Sequence, residues 1–218
     1  MINSNMDEND KDMKKENHTP DDTVGLAMSG HILVRDKETG EELINKRNAI
    51  HYGNMARIVA QALNNTPEAR IYYMAFGNGG TSVDTTGKII YKSPRVSEAF
   101  ESSANLYSRT YKKIVGLNTD TDKIEVITGT AYTDLKITCT LGYNEPSDQD
   151  LFDSSTTNEG DYIFDELALF NYPTDPSPTD GSDPIDSSRM LTHVIFHPVQ
   201  KSLNRVIEVI YTVRVQLS

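Results

Sequence analysis

The last strand-like run, "RVIEVIYTVRVQL", places Ile207, Val209, Tyr211, Val213, Val215 and Leu217 on one face of an extended chain. Val206, Glu208, Ile210, Thr212, Arg214 and Gln216 take the other face. A period of two over twelve residues is incompatible with a helix, whose faces repeat every 3.6 residues. One side of this segment therefore belongs to a core, and the fold has to supply a sheet for it. The same alternation, bounded by Gly, Asp, Asn, Ser and Pro, recurs in "SGHILVRD", "EELINKRN", "RIYYMAF", "LYSRTYKKIV", "KIEVIT", "DLKITCTLGY", "YIFDELALF" and "RMLTHVIFH". The first two flank "KETG", which reads as a hairpin loop.

A single segment breaks the rule. In "HYGNMARIVAQALNN", Met55, Ile58, Val59, Ala62 and Leu63 form one helical stripe, stopped by Asn64, Asn65 and Pro67. Many strands and one amphipathic helix predict a mainly β fold, a β-sandwich or flattened barrel with the helix packed on it. Residues 1–22 have almost no apolar content and read as a flexible polar arm. Residues 23–218 then form one domain with long loops at about 82–104 and 171–188. The second loop holds "NYPTDPSPTDGSDPIDSS", whose prolines suit neither a helix nor a central strand.

Composition narrows the function classes. The net charge of −11 argues against a nucleic-acid-binding surface. No stretch is apolar enough to span a membrane as a helix, and the N-terminal residues are acidic where a secretory signal would be basic. These features predict a protein made in a cytoplasm-like compartment. The single Cys139 sits in a strand pattern and reads as a buried small hydrophobe.

Motifs for chemistry fail on spacing. "FGNGG" follows a strand, yet Ser82 stands where a third dinucleotide-fingerprint glycine belongs, and Gly87-Lys88 is followed by Ile89, without the hydroxyl of a P-loop. Gly77, Asn78, Gly79 and Gly80 are therefore expected to form a structural turn with positive φ. His193 and His197 lack a third ligand at a recognisable spacing and read as structural. Asp175, Asp180, Asp183 and Asp186 do not match a calcium loop. Asp165 and Glu166 are adjacent, so they should point to opposite sides of a strand, with Arg189 or Lys201 as partners for a buried carboxylate. Asn17 and Asn64 begin chance glycosylation sequons. No nucleophile and base are paired, and the reading is non-enzymatic, with no metal and no cofactor.

Taken in order, "NMARIVAQAL", "IYYMAFGNGG", "LYSRTYKKIVGL", "YIFDELALF" and "MLTHVIFHPVQKSLNRVIEVIYTVRV" resemble structural proteins of tailed bacteriophages. In particular they resemble a virion protein of large contractile-tailed marine phages, over about residues 29 to 81. A looser likeness of layout is to the collar or attachment domain of phage tail fibres. The resemblance implies a virion location and a scaffold role among other virion proteins, in several copies. It also implies a glycine corner that a neighbouring loop or subunit approaches closely. Because no fibre shaft follows Ser218, an adaptor, collar or decoration subunit at the neck, tail or baseplate is expected. A capsid cement protein and a host-recognition or carbohydrate-binding β-sandwich are the alternatives.

The mixed outer face of the last strand has two readings. Glu208 and Arg214 form a charge pair on an ordinary amphipathic strand, or Glu208, Ile210 and Arg214, with His197 and Lys201 of the adjacent "HPVQKS" loop, meet another subunit.

Overall fold

The computed structural model describes residues 25–96, 104–143, 145–146, 162–202 and 204–217, and the expected arm at 1–22 lies outside them. The elements are β1 (Leu26–Asp36), β2 (Glu42–Ile50), α1 (Tyr52–Leu63), β3 (Ile71–Gly77), β4 (Thr81–Val83), β5 (Ile89–Tyr91), β6 (Arg109–Ile114), β7 (Lys123–Thr128), β8 (Tyr132–Leu141), β9 (Tyr162–Asn171), β10 (Thr192–Lys201) and β11 (Ile207–Leu217). Short 3-10 turns occupy Pro67–Ala69 and Pro184–Ser187.

Nine strands form one antiparallel sheet in the order β6-β3-β9-β10-β2-β1-β11-β8-β7. β4 and β5 pair separately as a small hairpin inside the expected loop at 82–104. The large sheet curls until its two ends approach. Lys113 on β6 donates to the Thr140 carbonyl on β8 and pairs with Asp122, just before β7, at 3.3 Å. The fold is mainly β, a curled sheet of the flattened-barrel kind, with one helix.

The core fills the concave side. Ile207, Val209, Tyr211 and Val213 of β11 are buried there with Ile32, Val34, Ile137 and Phe164. Burying each such side chain contributes about 1.5–3 kcal/mol relative to exposure. A second cluster lies across β3 and β9: Tyr73, Ala75, Ala168 and Phe170, covered by Leu106, Ile185 and Met190. This explains the nearly continuous apolar run of β9, since both of its faces are covered. The proline-rich tract is accordingly part of the packing. Ile185 seals the second cluster, while Asp183 pairs with Lys112 and Asp186 accepts from Arg109 at 2.7 Å.

Helix α1 starts at His51, whose Nδ1 accepts the Asn54 N–H at 3.3 Å. It ends with Asn65 at φ 54°, where Thr66 N–H bonds the Gln61 carbonyl and Asn65 N–H bonds that of Ala62. This left-handed stop is one that Asn tolerates. Only the first half of the predicted stripe is buried. Met55 and Ile58 enter the core, whereas Ala62 and Leu63 are exposed, because the helix projects past the sheet it leans on.

Candidate functional site

The glycine corner after β3 is held by carboxylates. Glu166 accepts N–H groups from Gly79 (3.2 Å), Tyr107 (3.0 Å) and Ser108 (2.8 Å), and its Oε2 lies 3.0 Å from Nε2 of His193. Asp165 accepts from Gly80 N and Thr81 N, both at 2.8 Å, and from the Thr81 hydroxyl. Both carboxylates thus converge on one segment, Gly79 to Thr81. This corrects the expectation of opposite sides, and Arg189 and Lys201 are not the partners. The β9–β10 pairing shifts register beside them, between Ile195 and Val199, so simple alternation does not apply here.

The positive-φ turn is also corrected. Positive φ occurs at Gly40, Gly87 and Gly181 but at none of Gly77, Asn78, Gly79 and Gly80. Their smallness serves close approach instead. A Cβ on Gly77 would stand 2.4 Å from the Ser108 carbonyl and 2.5 Å from Glu166 Oε1, and one on Gly79 would stand 2.8 Å from Ser108 Cβ. The loop that approaches the corner is the chain's own, at Tyr107 and Ser108.

Electrostatics separate the two acids. Burial opposes ionisation of Glu166, but the bonds from His193, Ser108 and Tyr107 outweigh it and hold the carboxyl below its usual range. Burial pushes Asp165 up, partly offset by Thr81 and Gly80, and the neighbouring Glu166 charge adds to the rise. His193 is fully buried, and its Nδ1 accepts the Arg95 N–H at 2.9 Å. The ring proton therefore sits on Nε2 and is directed at Glu166. With both nitrogens engaged, the His193–Glu166 pair has no lone pair left to activate a nucleophile. His197 is exposed and bonds the Tyr91 hydroxyl at 3.2 Å. Among the described residues no group of three or more His, Cys, Asp or Glu is placed to hold a metal. Cys139 is buried, and burial first of all raises its thiol well above the ordinary value.

The residues expected at a subunit interface separate into two sets. Glu208 is nearly buried and accepts from Arg35 Nε at 2.8 Å, and Lys201 is fully buried with Nζ bonded to the Ser202 carbonyl at 2.7 Å. Arg214 and Ile210 are half-buried on the convex face of β11, which is a central strand. The guanidinium of Arg214 makes two bonds to Asp134 on β8, at 2.7 and 2.8 Å, and lies 3.7 Å from the Tyr132 ring centroid. Glu208 and Arg214 are therefore each paired to a neighbouring strand and not to one another.

An apolar surface that alternation did not reveal lies at the open end of the sheet. The core face of β1 and β11 continues past its cover, leaving the paired Leu26 and Leu217 at 47% and 68% exposure, and on the edge strand β7 Val126 of the same face is 69% exposed. Two contiguous troughs between this end and α1, of about 490 and 380 Å3, share Met28, Met55 and Val59 as lining. Tyr52, 80% exposed, stands on the rim of the smaller one. No helix among the described residues is long and apolar enough to cross a membrane.

Comparison with protein-family models, with curated proteins and with solved structures gives no match.

Proposed function

We propose that this chain is a non-enzymatic structural subunit of a tailed-phage particle, an adaptor, collar or decoration protein at the neck, tail or baseplate. In this reading it binds other virion proteins and further copies of itself. The observation that carries it is the exposed apolar end, where the paired Leu26 and Leu217 extend the core face of β1 and β11 beside the troughs along α1. Contiguous apolar surface of this kind marks a protein contact more often than a solvated face. The engagement of Asp165, Glu166 and His193 in holding a loop supports a binding role over a catalytic one. The resemblance of "NMARIVAQAL" and "FGNGG" to virion proteins supplies the setting.

The test is quantitative mass spectrometry of gradient-purified, salt-washed particles from cells that make this protein. A fixed copy number per tailed particle is expected. Absence from washed particles overturns the proposal, and retention by tailless heads alone replaces it with capsid cement.

A further inference from the structure

The convex face of the sheet carries a second feature, a groove of about 490 Å3 across β2, β1, β11 and β8. Its lining includes Ser29, His31, Arg47, Asp134, Thr212 and Arg214. Strand register explains the shape. His31 is paired with Arg47 on one side and Thr212 on the other, and Ser29 with Arg214, so the Ser29 hydroxyl and the His31 ring of β1 separate the strands that carry the two guanidinium groups. Arg47 and Arg214 are two strands apart, a lateral separation of about 10 Å at normal strand spacing.

The charges in the groove are unequally satisfied. Arg214 is committed to Asp134, which removes the groove's one carboxylate from other use. His31 bonds Asn45 Oδ1 at 2.8 Å. Arg47 is exposed and has no hydrogen-bond or ionic partner among the described residues. In a chain of net charge −11, this face presents one uncommitted guanidinium, Arg47, beside the hydroxyls of Ser29 and Thr212. Long polyanions are repelled by the protein's overall field, whereas a short acidic segment carries less charge against that field and is held by local contacts that salt screens.

We propose that this groove binds an acidic peptide segment of a partner protein, with one Asp or Glu carboxylate held in a two-pronged contact by Arg47. The planar guanidinium matches the two oxygens of a carboxylate. The Ser29 hydroxyl on β1 and the Thr212 hydroxyl on β11 line the same groove and are placed to meet the peptide backbone. The width of the four strands, about 14 Å, is spanned by about four residues of extended chain. This deepens the assembly reading and rests on it, since it names the chemistry of one partner contact.

The probe is a fluorescein-labelled hexaglutamate peptide titrated by fluorescence anisotropy into the full chain at low salt. Saturable binding is expected, weakened at least tenfold in Arg47→Ser and abolished by half-molar salt. Arg57→Ser removes the same charge from exposed α1 and should bind like the parent. Arg47 is exposed and unpaired, so its variant should melt with the parent. Equal binding by the Arg47 variant overturns the site, and so does an equal loss in the Arg57 variant. An acidic polysaccharide that binds more tightly than the peptide with the same Arg47 dependence overturns the peptide class. Failure here with the protein still present in washed particles removes this groove and leaves the structural role standing.

Discussion

Arg95 gives its backbone N–H to Nδ1 of His193 across 2.9 Å, and this bond sets the tautomer that lets Nε2 face Glu166 at 3.0 Å. The loop before β6 is thereby fixed to the interior through an imidazole and a carboxylate in series. Glu166→Ala would leave the buried His193 ring N–H and the part-buried backbone N–H groups of Gly79, Tyr107 and Ser108 without this acceptor. The expected cost is about 3–5 kcal/mol in urea unfolding. Glu166→Gln keeps one carbonyl oxygen and should cost about 1–3 kcal/mol. Two variants indistinguishable from the parent would show that the loop is held by other contacts.

The glycine corner predicts a ranking. Gly77→Ala drives a Cβ into the Ser108 carbonyl and should cost about 3 kcal/mol, the upper part of the range for overpacking. Gly40 has φ +75° but open space around it, so Gly40→Ala should cost only the left-handed backbone penalty, about 1 kcal/mol. Thermal melting of both variants checks the order, and a reversed order would return the corner to a conformational explanation.

Lys201 gives the fold a slope with pH. Burial, with the Arg205 charge adding and Glu145 opposing, lowers its amine to about 8. The unfolded value is about 10.4. Folding therefore disfavours the charged amine, fully below pH 8, and the penalty is relieved as pH rises from 8 toward 10.4. Lys201→Met should be more stable than the parent at pH 7, and the advantage should shrink across that window. Denaturant midpoints at four pH values would show it, and a constant difference would refute it.

Ile58 and Leu63 lie on the same helical stripe but should respond oppositely. Ile58→Asp puts an unpaired charge into the core, costing several kcal/mol against a total of about 5–15, and should prevent soluble folding. Leu63 is 87% exposed, and Leu63→Asp should melt within about 0.5 kcal/mol of the parent. Expression and melting of the pair test where α1 leaves the sheet.

Strand alternation made much of the large sheet legible, because β1 and β11 bury one face along much of their length. It misled at the open end, where Val215 is half-buried and Leu217 exposed although the pattern is unbroken. Periodicity records which residues share a face and not how far the cover extends. The hairpin β4–β5 was illegible because three residues per strand carry no period. At the glycine corner, composition pointed to the right place for the wrong reason, since close approach and positive φ favour the same residue. The convergence of Asp165 and Glu166 followed from a register shift that no local pattern announces. Arg47 had no signal of its own. Its isolation depends on Asp134 being taken by Arg214, a relation between strands distant in sequence.

The pairing of β1 with β11 runs without a break from Leu26↔Leu217 to Asp36↔Ile207, joining the first described strand to the last. During synthesis β1 is followed directly by β2 and can pair with it at once, but its other edge has no native neighbour until β11 has been made. Such distant contacts slow folding and leave a sticky edge open in the interval. Completion of this sheet therefore waits on the synthesis of the residues that separate β1 from β11, and their translation time sets how long the β1 edge stays open.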